Sequence, residues 1–228
     1  VHHKERLRLP LVRRNGALAP SSWEDALSEV AARLKAVRDA HGPDAIGFIG
    51  SNRTTNEENY MLGRMARATV GTNNVDHHRT ADYGALMQAL GKTASTAQAG
   101  IEQLGAAKAI LLIGNDPTDQ NPLVAWQIRS AIRLNGARLY AVNAEEIKLR
   151  RQATQFVRIA PGAEALIAQW LATREGDLEL DTSLEMLKLR GALEKENDVV
   201  IVFGAELRGA AIGHLVKFSA SLPGQTRF

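Results

Sequence analysis

Residues 45–82 read AIGFIGSNRTTNEENYMLGRMARATVGTNNVDHHRTAD, and the way this stretch parses decides the fold. Ala45, Ile46, Phe48 and Ile49 form an apolar run broken only by Gly47, the pattern of a strand covered on both faces, as parallel strands are. A turn rich in Ser, Asn and Thr follows, from Gly50 to Thr55. Thr54 or Thr55 can cap a helix, with Glu57 and Glu58 set against the positive charge of its first turn. Tyr60, Met61, Met65 and Ala68 then recur at helical spacing, and Gly71 supplies a C-terminal stop. A strand feeding a helix through so short a turn is half of a parallel unit, which predicts an α/β fold.

On the N-terminal side, Asn15-Gly16 between Leu9–Val12 and Ala17–Leu18 predicts an antiparallel hairpin, because that pair suits the positive φ angles of a tight turn. Ser22 caps a helix with Asp25 three residues on. Leu27, Val30, Leu34 and Val37 mark a face expected to pack on the sheet, and His41-Gly42-Pro43 stops that helix. On the C-terminal side, Tyr83 to Leu90 is expected as a short helix and Gly91 to Gly100 as loop. Ala109–Ile113 is a continuous apolar strand, GNDPTDQNP a loop, Pro122 to Leu134 a helix closed by Asn135-Gly136, and Arg138–Val142 the next strand, together a compact crossover unit. Ile147 and Leu149 suggest a helical turn and Phe156–Ile159 a strand. Pro161-Gly162 opens a helix whose Leu166, Ile167, Trp170 and Leu171 face inward, while Leu184, Leu187 and Leu193 mark another. Val199–Phe203 is a β-branched strand. Leu207, Ala211, Leu215, Phe218 and Leu222 hold helical spacing until Pro223-Gly224 breaks it, leaving no closing element.

The composition narrows the function classes. Of 228 residues, 45% are hydrophobic and 23% charged, ordinary for a folded α/β protein. A net charge of +3 with no basic run interleaved with aromatics excludes an obvious nucleic-acid interface. The sequence has no cysteine, so disulfides, thiolate zinc sites and cysteine-held iron–sulfur clusters are absent from these residues. No apolar stretch reaches the ~20 residues of a membrane helix, and no signal-peptide pattern opens the sequence. Neither a Ser-His-Asp arrangement nor a phosphate-binding GxxxxGK[ST] loop is legible. Asp76, His77, His78 and Asp82 contain metal-ligand types, but adjacent histidines in a regular element point to different sides, and a polar loop that satisfies its own backbone explains them as well. Glu57 and Glu58 are accounted for by the helix dipole. Trp23, Trp126 and Trp170 fall on predicted helix faces as core or interface residues.

TNEENYML followed by GTNNVDH resembles the segment of the molybdopterin-dependent oxidoreductases, the formate dehydrogenase and nitrate reductase superfamily, that leads to the metal. The resemblance implies the formate dehydrogenase/DMSO reductase-like fold with parallel-sheet, Rossmann-like subdomains. In that family the protein ligand to molybdenum lies a few residues past the Asp matched by Asp76, and ungapped counting reaches Asp82. PLVRRNGAL and SWEDAL are similar to the segment that follows the family's N-terminal cluster domain, so the chain is expected to begin inside a longer protein. DHHRTADY is similar to the run that replaces the ligand cysteine in the large iron–sulfur subunit of NADH-quinone oxidoreductase, respiratory complex I.

That resemblance implies a scaffold without catalytic residues or a metal of its own. Its iron–sulfur clusters would lie in another part of the protein, its partners would be the other peripheral-arm subunits, and its place the cytoplasmic face of the inner membrane, reached through the complex without direct insertion. Gly114, Asn115, Asp116 and Pro117 resemble the family's GxNP loop, which cups part of the pterin nucleotide; here they would be vestigial. A Pro-Thr turn that ends a strand and caps a helix explains the same residues. Where active members read Asp-Pro-Arg after the next strand, this chain has Val142, Asn143, Ala144 and Glu145. Two alternatives stand beside the scaffold. One is a piece of an active molybdopterin enzyme, with molybdopterin guanine dinucleotide and Asp82 near the metal. The other is a nucleotide- or anion-binding module at the Gly114 loop. The expected domains are 1–44 as hairpin and helix, 45–82 with 197–228 as a discontinuous subdomain, 83–173 as an inserted one, and 174–196 as a connector.

Overall fold

A computed structural model describes residues 3–4, 6–51, 53–77, 81–176 and 178–228, and the chain forms two compact units, 1–78 and 79–228. In the first, strands β1 (Leu11–Arg14) and β2 (Ala17–Pro20) pair antiparallel with Arg14 opposite Ala17. Asn15 and Gly16 both adopt positive φ, 51° and 83°, as the two-residue hairpin requires. Helix α1 (Trp23–His41) starts where the Ser22 hydroxyl accepts the Asp25 amide. Strand β3 (Phe48–Gly50) leads to α2 (Asn56–Arg64), capped by reciprocal bonds between Thr55 and Glu58. A π-type turn, Met65–Val70, continues it to the left-handed Gly71, and β4 (Val75–His77) returns parallel to β3.

The second unit begins with α3 (Tyr83–Leu90) and α4 (Ile101–Ala106). It continues through β5 (Ala109–Ile113), the single turn α5 (Pro117–Gln120), α6 (Pro122–Asn135), β6 (Arg138–Asn143) and β7 (Gln155–Arg158). Helices α7 (Glu164–Thr173) and α8 (Leu180–Leu193), strand β8 (Asp198–Phe203), helix α9 (Ala210–Ala220) and strand β9 (Gln225–Arg227) complete it. All five strands run parallel in the order β7-β6-β5-β8-β9. Alternate residues serve opposite faces. Leu111, Ile113, Val142, Val199 and Ile201 pack with residues of α3, α7, α8 and α9, such as Leu86, Ile167, Leu189 and Phe218. Ile110, Leu112, Leu139, Ala141 and Val200 pack with Leu104 of α4 and Ile128 and Ala131 of α6. Each fully buried Leu or Ile in these layers contributes about 1.5–3 kcal/mol.

Several expectations are corrected. Phe203 and its strand pair with β5, not with the Ile46–Ile49 segment, so 197–228 belongs to the sheet of 109–143 and the discontinuous 45–82 plus 197–228 subdomain does not form. Continuous apolarity makes Ala109–Ile113 a central strand that needs a neighbour on each side, and Val199–Phe203 is long and apolar enough to supply one. The segment 174–196 is more than a connector, because Met186, Leu189 and Leu193 of α8 are fully buried. The residues after α9 do not trail off. Gly224 turns the chain so closely past Asn197 that any β-carbon would meet the Asn197 carbonyl, and β9 then pairs with β8. In the first unit, Ala45 lies in a short 3-10 turn, and Ile49 is 81% exposed, because β3 has a single neighbouring strand. Leu27, Val30 and Val37 of α1 are exposed as well; the helix instead lies along the 65–70 turn through Leu34 and Arg38, whose guanidinium donates to the Thr69 carbonyl at 3.2 Å. Trp170 is buried, whereas Trp23 and Trp126 are exposed.

At the N-terminal edge of the five-stranded sheet, Glu196 bridges strands that β5 keeps apart. It is 3% exposed, accepts both arms of the Arg138 guanidinium and accepts the Tyr140 hydroxyl at 2.7 Å. Burial opposes its ionisation, but the bonds from Arg138 and Tyr140 and the guanidinium charge outweigh burial and hold the carboxyl below its ordinary 4.5. Burial, and then the bond to Glu196, push the Tyr140 phenol up to about 12. A lowered carboxyl pKa stabilises the fold above pH 4.5 and loses that contribution as pH falls through the lowered value. Glu196→Gln is expected to cost about 2 kcal/mol in urea unfolding at pH 7, below the value for a fully buried pair because Arg138 is half exposed. The gap between variant and wild type should shrink as the pH drops below 4.5; a constant gap would assign the loss to packing instead.

Candidate cleft at the C-terminal edge of the parallel sheet

In sequence order the strands of the larger sheet run 3-2-1-4-5, and open α/β sheets bind ligands outside the carboxyl ends of such strands, near the point where the order reverses. Here a cleft of about 410 Å³ lies at those ends. Its floor is the close approach of two loops. The Gly114 amide donates to the Val142 carbonyl at 3.0 Å and the Gly204 amide to the Ile113 carbonyl at 3.2 Å. A β-carbon on Gly204 would collide with the Gly114 carbonyl. Gly114 itself holds φ +57°, and a β-carbon there would sit 3.0 Å from Glu164 Cγ and 3.4 Å from Glu206 Cβ. Two glutamate side chains therefore converge above the glycine.

The structure brings Gly114, Asn115 and Asp116 to this cleft together, with Pro117 buried beneath as the first residue of α5. Asn143 ends β6, where its amide donates to the Asn115 carbonyl at 2.9 Å and so ties the two loops. Asn115 donates to Gln120 Oε1 at 3.2 Å, while its own Oδ1 and the Thr118 hydroxyl are buried without a hydrogen-bonding group among the described residues. Asp116 accepts the Thr118 amide at 2.9 Å on its carboxylate, and the Asp119 and Gln120 amides on its carbonyl. Asp119 and Glu146 are paired with Lys148 and Arg150 at 3.2 and 2.7 Å. Sequence reading missed Glu164 and Glu206, which follow β7 and β8 and reach the cleft only through the strand order. No motif marks them.

Asp82, the position reached by counting to the metal ligand, has a structural role. One carboxylate oxygen accepts the Ala85 amide at 3.0 Å, which caps α3, and the other accepts the Gly209 amide at 3.2 Å just before α9. Asp76 accepts the His77 amide at 2.8 Å, and His78 lies outside the described residues. Among the described residues no three His, Cys, Asp or Glu side chains are placed to hold a metal. Glu57 and Glu58 stand in the first turn of α2, where Glu58 accepts the Thr55 amide in the capping box.

The family model described as molybdopterin oxidoreductase matches residues 6–207. The chain belongs to the molybdopterin oxidoreductase family. It is 32% identical over 173 residues to a protein of Bacillus subtilis (strain 168) named "Putative formate dehydrogenase YrhE", covering 75% of this chain and 17% of that protein. It is 31% identical over 166 residues to a protein of like name from Staphylococcus aureus (strain USA300), covering 72% and 17%. The chain thus spans about a sixth of the length of these relatives. Among solved structures, acetylene hydratase from Pelobacter acetylenicus superposes with a TM-score of 0.66 at 15% identity, over 98% of this chain and 36% of that one. A chain of the formyltransferase/hydrolase complex from Methylorubrum extorquens gives 0.57 at 19%, over 96% and 59%. These likenesses agree with the α/β fold and its parallel sheet.

As a cradle for the phosphates of a nucleotide, the Gly114 loop is mismatched in charge. Phosphate sites on such loops use free backbone amides and positive charge. Here the Gly114, Thr118, Asp119 and Gln120 amides already donate within the protein and Pro117 has none, which leaves the Asn115 and Asp116 amides, and the lining carries carboxylates but no lysine or arginine. Asp82→Ala should cost about 1–2 kcal/mol, the usual loss of a helix cap, while Asp82→Asn keeps most of it. Urea unfolding of both variants checks this, and an unaffected Asp82→Ala protein would remove the capping role.

Proposed function

We propose that this chain is a scaffold segment of the large iron–sulfur subunit of an NADH-quinone oxidoreductase, with no catalytic group or metal of its own. The observation that carries the reading is Asp82. At the place where a molybdopterin enzyme presents its metal ligand, this chain has a carboxylate whose two oxygens hold backbone amides of α3 and the α9 loop, and it has no cysteine to take over. The mismatched Gly114 loop and Asn143, which ties loops where active relatives place an acid, point the same way. Electrons would travel through clusters in another part of the protein, and this segment would brace that part and meet neighbouring peripheral-arm subunits. No helix among the described residues is long and apolar enough to cross a membrane; association with the inner membrane would pass through the complex.

The relatives named as formate dehydrogenases favour a second reading, a segment of an active molybdenum or tungsten enzyme. Elemental analysis for both metals, with a fluorescence assay for released pterin, separates the two on the full-length protein purified from its host. The scaffold reading expects both far below one per chain alongside iron–sulfur signals. Metal and pterin near one per chain would replace it with the enzyme reading.

A further inference from the structure

Helix α6 is apolar on two opposite sides. Ile128 and Ala131 are buried against the sheet, and an ordinary amphipathic helix would turn polar residues outward. Instead Leu123, Trp126 and Leu134 are 75%, 62% and 70% exposed. Steps of three and eleven residues from Leu123 return to the same side of a helix, so these three form one outward stripe. Trp126 also borders a groove of about 510 Å³ lined by Arg129, Ser130, Ile132, Arg133 and Gln152. Arg129 and Arg133 are the only charged residues in the sequence of α6, and neither forms a hydrogen bond or ion pair among the described residues. Like charges four apart on a helix repel each other, and no carboxylate lines the groove to offset them. Tryptophan and arginine beside exposed leucines are the side chains that anchor protein interfaces.

We propose that this side of α6 docks an acidic amphipathic helix of a partner polypeptide. Apolar side chains of that helix cover Leu123, Trp126 and Leu134, and two of its carboxylates, one turn apart, pair with Arg129 and Arg133. Side chains four apart stand about 6 Å from each other on any helix, so the two spacings match. Guanidinium groups suit the task because they grip carboxylates with two parallel hydrogen bonds. The number of charges decides the class of partner. Acidic membranes are held by clusters of roughly four to eight basic residues, and DNA by about six to ten phosphate contacts. Two arginines beside an apolar stripe fit a protein helix. The inference does not depend on whether the segment is a scaffold or part of an active enzyme.

The test places the photocrosslinker p-benzoylphenylalanine at Leu123 of the full-length protein in its host, and mass spectrometry maps the captured peptide. The expected capture is a segment of another polypeptide that carries Asp or Glu three or four residues apart beside apolar residues. Trp126 and Arg133 are exposed, so their variants are expected to fold normally. Trp126→Ala and Arg133→Glu should each lower the crosslink yield about tenfold, the loss of one interface anchor, whereas Arg133→Lys keeps the charge and most of the yield. Capture of a segment without carboxylates, of this protein's own polypeptide, of nucleic acid or lipid, or of nothing would each overturn the proposal. So would a yield unchanged in both Trp126→Ala and Arg133→Glu.

Discussion

Everything in the larger unit depends on the parallel pairing of Ala109–Ile113 with a strand on either side. All five of its residues are fully buried, so no water reaches its backbone, and each amide and carbonyl must find a partner in β6 or β8. With those bonds in place the side chains divide cleanly between the two helical layers, and the carboxyl ends of the strands line up at one edge. The cleft is a product of that alignment. Its residues come from loops after β5, β6, β7 and β8, and they meet because the strands are in register.

The two ends of the sheet carry opposite solutions to buried charge. At the amino edge, Glu196 is saturated by Arg138 and Tyr140, and its carboxylate holds distant strands together. At the carboxyl edge, Glu164 is nearly as buried but has no basic side chain paired with it among the described residues. Natural interiors seldom keep an ionisable group without a companion.

Much of this architecture was legible in residues 45–82 and 109–142. The hairpin turn at Asn15-Gly16, the Thr55 cap, the Gly71 and Gly136 stops and the strand Ala109–Ile113 each have a local cause that a sequence displays. The strand order was not legible, because pairing of Val199–Phe203 with β5 is a choice among apolar strands that local spacing cannot make. Strand β9 escaped for a related reason: Gln225, Thr226 and Arg227 are not apolar, and only the Gly224 turn and the free edge of β8 make them a strand. Amphipathic spacing also misassigned α1 and α8, where Leu27 and Leu187 fit a helical stripe yet stay exposed while Met186 and Leu189 are buried. In the cleft, the Gly114 loop could be located from its motif, but Glu164 and Glu206 could not, since their convergence is a property of the assembled sheet.

The place of β8 has a consequence for how the chain is made. Ala109 must wait for Val199 before both of its edges are covered, and every residue between them leaves the ribosome first. Through that interval the nascent molecule exposes an apolar strand with one unpaired edge, a template for pairing with another chain. The short polar strand β9 follows soon after β8 and pairs with Asp198 to Val200, so Gln225 to Arg227 close the amino-terminal half of the edge that β8 would otherwise leave open.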